Sequence, residues 1–148
     1  MNRDNTANLD SAPNPLNVEP YRPRRNEKYM GKRQRVHFLR VLTSWRNSLM
    51  GETVRTVGNL QDETINHPDP TDRASQETDM SIELRNRDRE RRLIRKIEDS
   101  ISRLEFGDYG FCDSCGVEIG LNRLEARPTA TLCLDCKTLD EMKERRLY

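Results

Sequence analysis

The chain has 148 residues, of which 33% are hydrophobic and 34% are charged, and its mean hydropathy is −0.98. This is too little apolar material for a conventional compact core of that length, so the composition favours an elongated helical protein with solvated charges. The formal net charge of +1 does not favour bulk electrostatic binding to DNA or to a membrane surface. No apolar run approaches the roughly 20 residues of a transmembrane helix.

Residues 1–31 are predicted to form an extended, partly disordered N-terminal arm. Four of the seven prolines lie there and large apolar residues are few. Tyr21, Tyr29 and Met30 are candidates to anchor the end of this arm to a core. Since no apolar run of the kind found in secretory signal peptides opens the chain, we expect a cytoplasmic location.

Two proline-free segments, about residues 32–66 and 71–106, are predicted to be long helices. In the first, seven positions step by three or four residues, close to the 3.5-residue period of a coiled coil. They are Phe38, Leu42, Trp45, Leu49, Thr53, Thr56 and Leu60. The second segment carries a similar stripe that is apolar at both ends and polar in the middle. Its positions are Met80, Leu84, Arg87, Arg91, Ile94, Ile97, Ile101 and Leu104.

A proline-containing turn joins the two helices. Pro68 and Pro70 end the first helix and turn the chain, and helices of similar length joined by a short turn pack antiparallel. Residues 32–106 are therefore predicted to form an antiparallel coiled-coil finger. At 1.5 Å per residue its length is roughly 45–50 Å, and its tip lies at residues 66–74.

Two charged features of the finger have both a structural and a functional interpretation. Asp69 and Asp72 suit the N-cap and first turn of the second helix, with Pro70 as its first residue. Carboxylates at the end of a long finger can equally be presented to a partner. Residues 85–92 hold five arginines and two acids. Such a run is typical of a solvated face, and it also leaves a basic band for partner contact.

The four cysteines form two C-x2-C pairs, Cys112 with Cys115 and Cys133 with Cys136, separated by seventeen residues. This spacing predicts one closed tetrahedral Zn²⁺ site, which is structural because no position is left for water. Disulfides fit poorly without a secretion signal, and a redox pair belongs on a βαβ unit that the pattern lacks. Residues 107–137 are therefore predicted to be a four-cysteine zinc finger, followed by a C-terminal helix at residues 138–148.

The expected fold is mainly α: a long antiparallel coiled-coil hairpin on a small base, with a four-cysteine zinc-finger module and a C-terminal helix. The sequence contains no nucleophile elbow, no phosphate-binding loop and no dinucleotide glycine fingerprint. The cysteines are assigned to metal and only two histidines remain. We therefore do not expect an enzyme.

Five strings resemble the DksA/TraR zinc-finger family of bacterial RNA polymerase-binding transcription factors. They are PDPTDRA at residues 68–74, ELRNRDRE at 83–90, CDSCGVEIG at 112–120, RLEARPTA at 123–130 and CLDCK at 133–137. The resemblance extends over residues 18–140. The first 17 residues and the last helix follow no pattern that can be transferred.

The resemblance implies a regulator that binds RNA polymerase directly, as a monomer, without recognising a DNA sequence. Its finger enters the polymerase secondary channel and alters open-complex stability together with the stringent-response nucleotide ppGpp. Promoters of the ribosomal RNA type are then repressed and some others activated. The residues implied are Asp69, Asp72 and Ala74 at the tip, Arg85 and Arg89 at the channel rim, and Lys96, Arg127 and Lys137 for ppGpp.

Other interpretations stay open at this point. A Gre-like factor presents tip acids on a similar finger and promotes transcript cleavage, although it lacks a four-cysteine module. A nucleic-acid-binding zinc protein is disfavoured by the near-neutral charge and the absence of interleaved aromatic residues. A thiol oxidoreductase would use the cysteines differently. For the implied nucleotide contacts, Lys96 also fits an ordinary exposed helix residue, and Arg127 and Lys137 fit compensation of a zinc-thiolate charge.

Overall fold

The computed structural model describes residues 18–63 and 69–148, without the side chains of residues 53 and 56–63. Residues 1–17 of the predicted arm, stripe positions 53, 56 and 60, and tip residues 66–68 therefore lie outside the described residues. The helices are α1 (Lys32–Glu63), α2 (Pro70–Phe106), α3 (Leu121–Ala126) and α4 (Leu134–Arg146). None of these helices is long and apolar enough to cross a membrane.

The predicted mainly α fold is confirmed. Within the described ranges the only β structure is an isolated antiparallel bridge between Phe111 and Glu118. Helices α1 and α2 pack on each other as a hairpin, and the cysteine-containing segment folds against its open end through a shared core. The small base is therefore continuous with the root of the finger.

Helix α2 has 37 residues and spans about 55 Å. At its start, the Asp69 side chain accepts a hydrogen bond from the backbone N–H of Thr71 at 3.0 Å, and Pro70 follows directly. The predicted capping role of Asp69 is thus confirmed. At its end, Gly107 takes a left-handed conformation with φ of 85°, and its N–H donates to the carbonyl of Arg103.

The stripe on α2 differs from the prediction in the middle of the finger. Leu84 and Arg91 are exposed, whereas Glu83 and Glu90 are partly buried beside Arg87. Counting back from buried Ile97 in alternating steps of three and four gives an unbroken heptad pattern. It passes through Ile97, Ile94, Glu90, Arg87, Glu83, Met80 and Gln76, all of them at least partly buried.

The predicted stripe was wrong at these two positions because it took two successive steps of three, at Arg91, Ile94 and Ile97. With those steps, apolar Leu84 was predicted to lie in the seam, the contact face between α1 and α2. A heptad keeps the same face of a helix toward its partner only when steps of three and four alternate. The packing at the root of the finger determines which face of α2 is turned toward α1. The charged residues in the middle of α2 keep that same heptad register.

The base has a single apolar core that includes the root of the finger. Phe38 and Leu42 of α1 and Ile97 of α2 are fully buried there. They cluster with residues of the cysteine-containing segment, including Tyr109 and Leu124. The Tyr109 hydroxyl donates to the carbonyl of Pro128 at 2.7 Å, which satisfies the polar end of a buried ring.

The end of the arm is fastened to this base as predicted. The backbone N–H of Tyr21 donates to Glu125 at 3.0 Å. The Tyr29 hydroxyl donates to the carbonyl of Gly110 at 2.7 Å, and Met30 packs against the core. These contacts connect residues more than 80 positions apart in sequence, so the arm holds the start of α1 against the cysteine-containing segment.

The C-terminal helix begins at Leu134, four residues earlier than predicted. The reason is that Cys133 caps it. The Cys133 sulfur accepts from the backbone N–H of Cys136 at 3.5 Å, and the Cys133 carbonyl accepts from the N–H of Lys137 at 3.0 Å. The second C-x2-C pair therefore spans the N-cap and the first turn of α4 rather than a loop before it.

Candidate functional site

The four cysteine sulfurs form one cluster, in which all Sγ atoms lie within 4.8 Å of one another. Cys115 Sγ and Cys133 Sγ are 3.7 Å apart, far beyond the roughly 2.05 Å of a disulfide bond. Four sulfurs at about 2.3 Å from a tetrahedral ion lie about 3.8 Å from each other. The arrangement fits a closed four-thiolate zinc site.

The backbone around the first pair is shaped for such a site. The N–H of Cys112 donates to the carbonyl of Val117 at 2.8 Å, and the N–H of Gly116 donates back to the carbonyl of Cys112 at 2.8 Å. Gly116 has φ of 75°, which a residue with a side chain adopts only with strain. This tight turn directs Cys112 and Cys115 to the same point.

The thiols differ in their readiness to ionise. Hydrogen bonding from the backbone of Cys133 lowers the pKa of the Cys112 thiol to about 6. Hydrogen bonding with the sulfurs of Cys115 and Cys133 raises the pKa of Cys136 to about 12. A metal that takes all four as thiolates must displace the remaining protons, so binding is coupled to proton release.

One arginine fastens the cysteine-containing segment to α2. Arg103 Nη2 lies 2.7 Å from Asp113 Oδ1 and also donates to the carbonyls of Phe111 at 3.2 Å and Asp108 at 3.3 Å. The backbone N–H of Asp113 in turn donates to the carbonyl of Thr131 at 2.9 Å. The four-cysteine cluster and the loop before Cys133 are thereby fixed relative to the root of the finger.

A cationic cleft of about 200 Å³ opens beside the cluster, between α2, α3 and the start of α4. Its charged lining comprises five basic side chains and one acid: Lys96, Arg103, Arg123, Arg127, Lys137 and Asp99. Ser100, Thr129 and Thr131 also line it. The structure thus brings Lys96, Arg127 and Lys137 together in one cleft.

The five basic side chains of the cleft differ in how far their charge is compensated. Arg103 is paired with Asp113, and Arg123 Nε donates to the carbonyl of Leu132 at 2.9 Å. Lys137 Nζ lies 3.9 Å and 3.8 Å from two carboxylates of its own helix, those of Asp140 and Glu141. Lys96 and Arg127 are exposed, and no ion pair involves them in the described ranges. Such a cleft can bind a polyanion, because arginine and lysine are strong phosphate donors.

The tip residues lie at the far end of α2. Asp69, Asp72 and Ala74 are all exposed. The carbonyl of Ala74 accepts from the Thr78 hydroxyl at 3.1 Å, and the Asp72 carboxylate lies in the first turn of the helix. Asp72 and Lys96 are 24 residues apart on one helix, so the tip is about 36 Å from the cleft.

The predicted rim contacts lie between the tip and the cleft. Arg85 and Arg89 are exposed and four residues apart, so they occupy one face of α2. Lys96 follows Arg89 by seven residues, about two helical turns, so it lies on a similar face of α2. The basic band therefore continues into the cleft.

Sequence reasoning missed two residues of this site. Arg103 lies seven residues after Lys96, two turns along α2, and this interval could have placed both on one face. Arg123 lies near the cysteines in sequence, which suggests only compensation of a zinc-thiolate charge. Its neighbours in the cleft come from three separated segments, which no local pattern connects.

Two family models match successive parts of the chain. One is described as the N-terminal domain of DnaK suppressor protein DksA and matches residues 34–104. The other is the prokaryotic dksA/traR C4-type zinc finger and matches residues 107–141. The first covers most of the finger, and the second covers the four cysteines and the start of α4.

Similar proteins and structures agree with these models. The chain is 58% identical to the RNA polymerase-binding transcription factor DksA of Escherichia coli K12 over 130 residues, 88% of this chain and 86% of that protein. It is 50% identical to the Haemophilus influenzae protein of the same name over 147 residues, 99% of each. The structure of transcription factor DksA2 from Pseudomonas aeruginosa matches with a TM-score of 0.74 at 38% identity, covering 79% of this chain and 90% of that one.

Proposed function

The chain belongs to the DksA/TraR zinc-finger family, and from this we propose that it is a transcription regulator that binds RNA polymerase directly. Its finger enters the secondary channel and changes the stability of the open complex, in cooperation with ppGpp. Promoters of the ribosomal RNA type are repressed and some others activated. The protein acts in the cytoplasm as a monomer and recognises no DNA sequence.

The observation that carries this proposal is the convergence of Lys96, Arg127 and Lys137 on one cleft. They were singled out from resemblance alone and are separated by up to 41 positions in the chain. A guanosine polyphosphate requires basic donors that converge from a rigid surface. Arg127 offers a bidentate fork, while the two lysines act as point charges.

The rest of the cleft suits the same ligand. Thr129 and Thr131 also line the cleft, while the Ser100 hydroxyl donates to the carbonyl of Lys96 at 2.8 Å. Arg103 and Arg123 hold backbone carbonyls of the surrounding loops, so they shape the wall and add positive charge. The cleft is open on one side and small, which suits a ligand completed by a second protein surface. In this proposal that surface is the polymerase.

Zinc has a supporting role. Cys112, Cys115, Cys133 and Cys136 would hold it, and four thiolates leave no coordination position for catalysis. When bound, the ion cross-links the turn after Tyr109 to the first turn of α4. Lys137 directly follows Cys136, so the same cross-link determines where this lysine enters the cleft.

In this proposal the tip catalyses no reaction and acts through a contact with the polymerase. A regulator that contacts one polymerase state a few kcal/mol better than another shifts the equilibrium between them. Asp72 and Asp69 bring negative charge to the end of a probe about 36 Å from the cleft. In a cation-rich active centre, that charge supplies a differential contact. No catalytic residue is proposed.

The cleft assignment is tested by measuring the binding of labelled ppGpp to RNA polymerase alone, with the wild-type protein, and with Arg127→Ala. We expect the protein to increase ppGpp binding and Arg127→Ala to weaken that added binding about tenfold, since a charged hydrogen bond is worth about 1.5–3 kcal/mol. Lys143→Ala, exposed at the end of α4, is the matched control. Unchanged ppGpp binding with the wild-type protein bound to polymerase would contradict the assignment.

A further inference from the structure

A second basic surface lies on helix α1 and shares no lining residue with the cationic cleft. It is a shallow groove of about 390 Å³, here called the α1 groove. Its lining residues are Tyr21, Lys32, Arg33, Val36, His37 and Arg40. Apart from Tyr21, which was predicted to anchor the arm, none of them was assigned a role from the sequence.

Two of its cations are uncompensated. Arg33 lies 3.2 Å from Glu27 and stacks over the Tyr21 ring, with 5.5 Å to the ring centroid. His37 lies 2.5 Å from Glu125. Lys32 and Arg40 are exposed, and neither forms an ion pair within the described ranges. They are eight residues apart on one helix face, about 12 Å along its axis.

Helix stability does not account for these cations. Positive side chains in the first turn of a helix oppose its dipole, and α1 has no acidic residue in its first turn. The charge is also strongly local. Residues 18–46 contain nine Lys and Arg against two Glu, a formal charge of +7, while the whole chain carries +1. The net charge of the whole chain does not reveal this basic surface. Its positive charge favours an acidic partner.

The shape of the groove favours an acidic protein segment over a phosphate ligand. A compact polyphosphate requires converging donors, whereas Lys32 and Arg40 stand at opposite ends of the groove. Val36 lies between them with 48% of its surface exposed, and Leu39 beside it is 41% exposed. An apolar centre with a charged rim is the usual arrangement of a protein–protein interface. Nucleic acid offers a continuous row of phosphates and makes no use of the apolar centre.

We propose that the α1 groove is a second contact surface for RNA polymerase. It takes an acidic polymerase segment whose carboxylates, spaced by about 12 Å, flank an apolar side chain that packs on Val36. This inference rests on the proposed binding of polymerase. It adds a contact that neither the tip, the basic band of α2 nor the cationic cleft supplies.

The test compares polymerase dissociation constants for the wild-type protein and the double variant Lys32→Glu/Arg40→Glu at low and physiological salt. Both side chains are exposed, so circular dichroism and zinc content are expected to stay unchanged. We expect affinity to fall about tenfold and its salt dependence to become shallower. Lys143→Glu/Arg146→Glu, an exposed double reversal on α4 that changes the net charge equally, controls for net charge, and Lys32→Arg/Arg40→Lys, which keeps both cations, should retain wild-type affinity.

Each other outcome decides against the inference. If the double variant binds polymerase within about twofold of wild type and Asp72→Asn is still inactive in transcription, the groove does not contact polymerase. The proposed function is then unaffected. If the double variant retains its affinity for polymerase but loses binding to a DNA duplex or to single-stranded RNA that the wild type binds, the groove is a nucleic-acid site instead. A wild-type protein that does not bind polymerase overturns the proposed function and this inference with it.

Discussion

The charged middle of the finger makes a specific prediction about stability. Glu83 Oε2, Arg87 Nε and Arg87 Nη2 are shielded from solvent, and none of these atoms has a hydrogen-bond partner among the residues that the structure describes. A buried polar group left without a partner costs about 1–3 kcal/mol. Glu83→Leu/Arg87→Leu removes all three atoms together, so neither charge is left without the other, and it places apolar side chains at two heptad positions. Because both side chains are only partly buried, we expect the free energy of unfolding to rise by about 1–2 kcal/mol.

The measurement is urea unfolding of the zinc-loaded protein followed by far-UV circular dichroism. Arg95→Leu, on an exposed face of α2, is the control and should change stability by less than about 0.5 kcal/mol. Leu84→Ala tests the register, since Leu84 is 52% exposed, and its cost should stay well below the roughly 2–5 kcal/mol of a buried leucine. Destabilisation by Glu83→Leu/Arg87→Leu, or a loss of about 2–5 kcal/mol on Leu84→Ala, would refute the reasoning.

Three further predictions concern the cap, the base and the metal. Asp69→Ala should destabilise the first turn of α2 by about 0.5–2 kcal/mol, seen as faster amide exchange there, while Asp69→Asn keeps the cap and removes only the charge; equal exchange in both variants would contradict the cap. Tyr109→Phe should lower the unfolding free energy by about 1–2 kcal/mol because the Pro128 carbonyl loses its buried donor; an unchanged urea midpoint would contradict that bond. Zinc affinity should fall as pH drops from about 8 to 6, because the raised pKa of Cys136 keeps that thiol protonated. Competition with a chelator at several pH values measures this, and a pH-independent affinity would contradict it.

Much of the architecture could be predicted because its determinants are local. Pro70 and Asp69 start α2, and Gly107 ends it in a left-handed conformation. These are residue-level preferences that hold in any context. The cysteine spacing likewise constrains geometry within a few residues of each ligand. Local rules therefore predicted the finger and the clustering of the four cysteines.

The remainder depends on long-range packing. The register of the seam is set by Phe38, Leu42 and Ile97 at the root of the finger, so Leu84 stays exposed despite being apolar. The start of α4 is set by a cap that Cys133 provides while it also faces the other sulfurs. The cleft joins α2 to segments about 30 and 40 residues further on. No single-sequence periodicity carries that information.

The measurement that tests the central claim most directly is multi-round transcription in vitro from a ribosomal RNA promoter with an unstable open complex. No factor, the wild-type protein and Asp72→Asn are compared, each with and without ppGpp. We expect inhibition by the wild type that deepens with ppGpp and is largely lost in the variant, although the variant still binds polymerase. No effect of the zinc-loaded, folded wild-type protein on transcription would contradict the account.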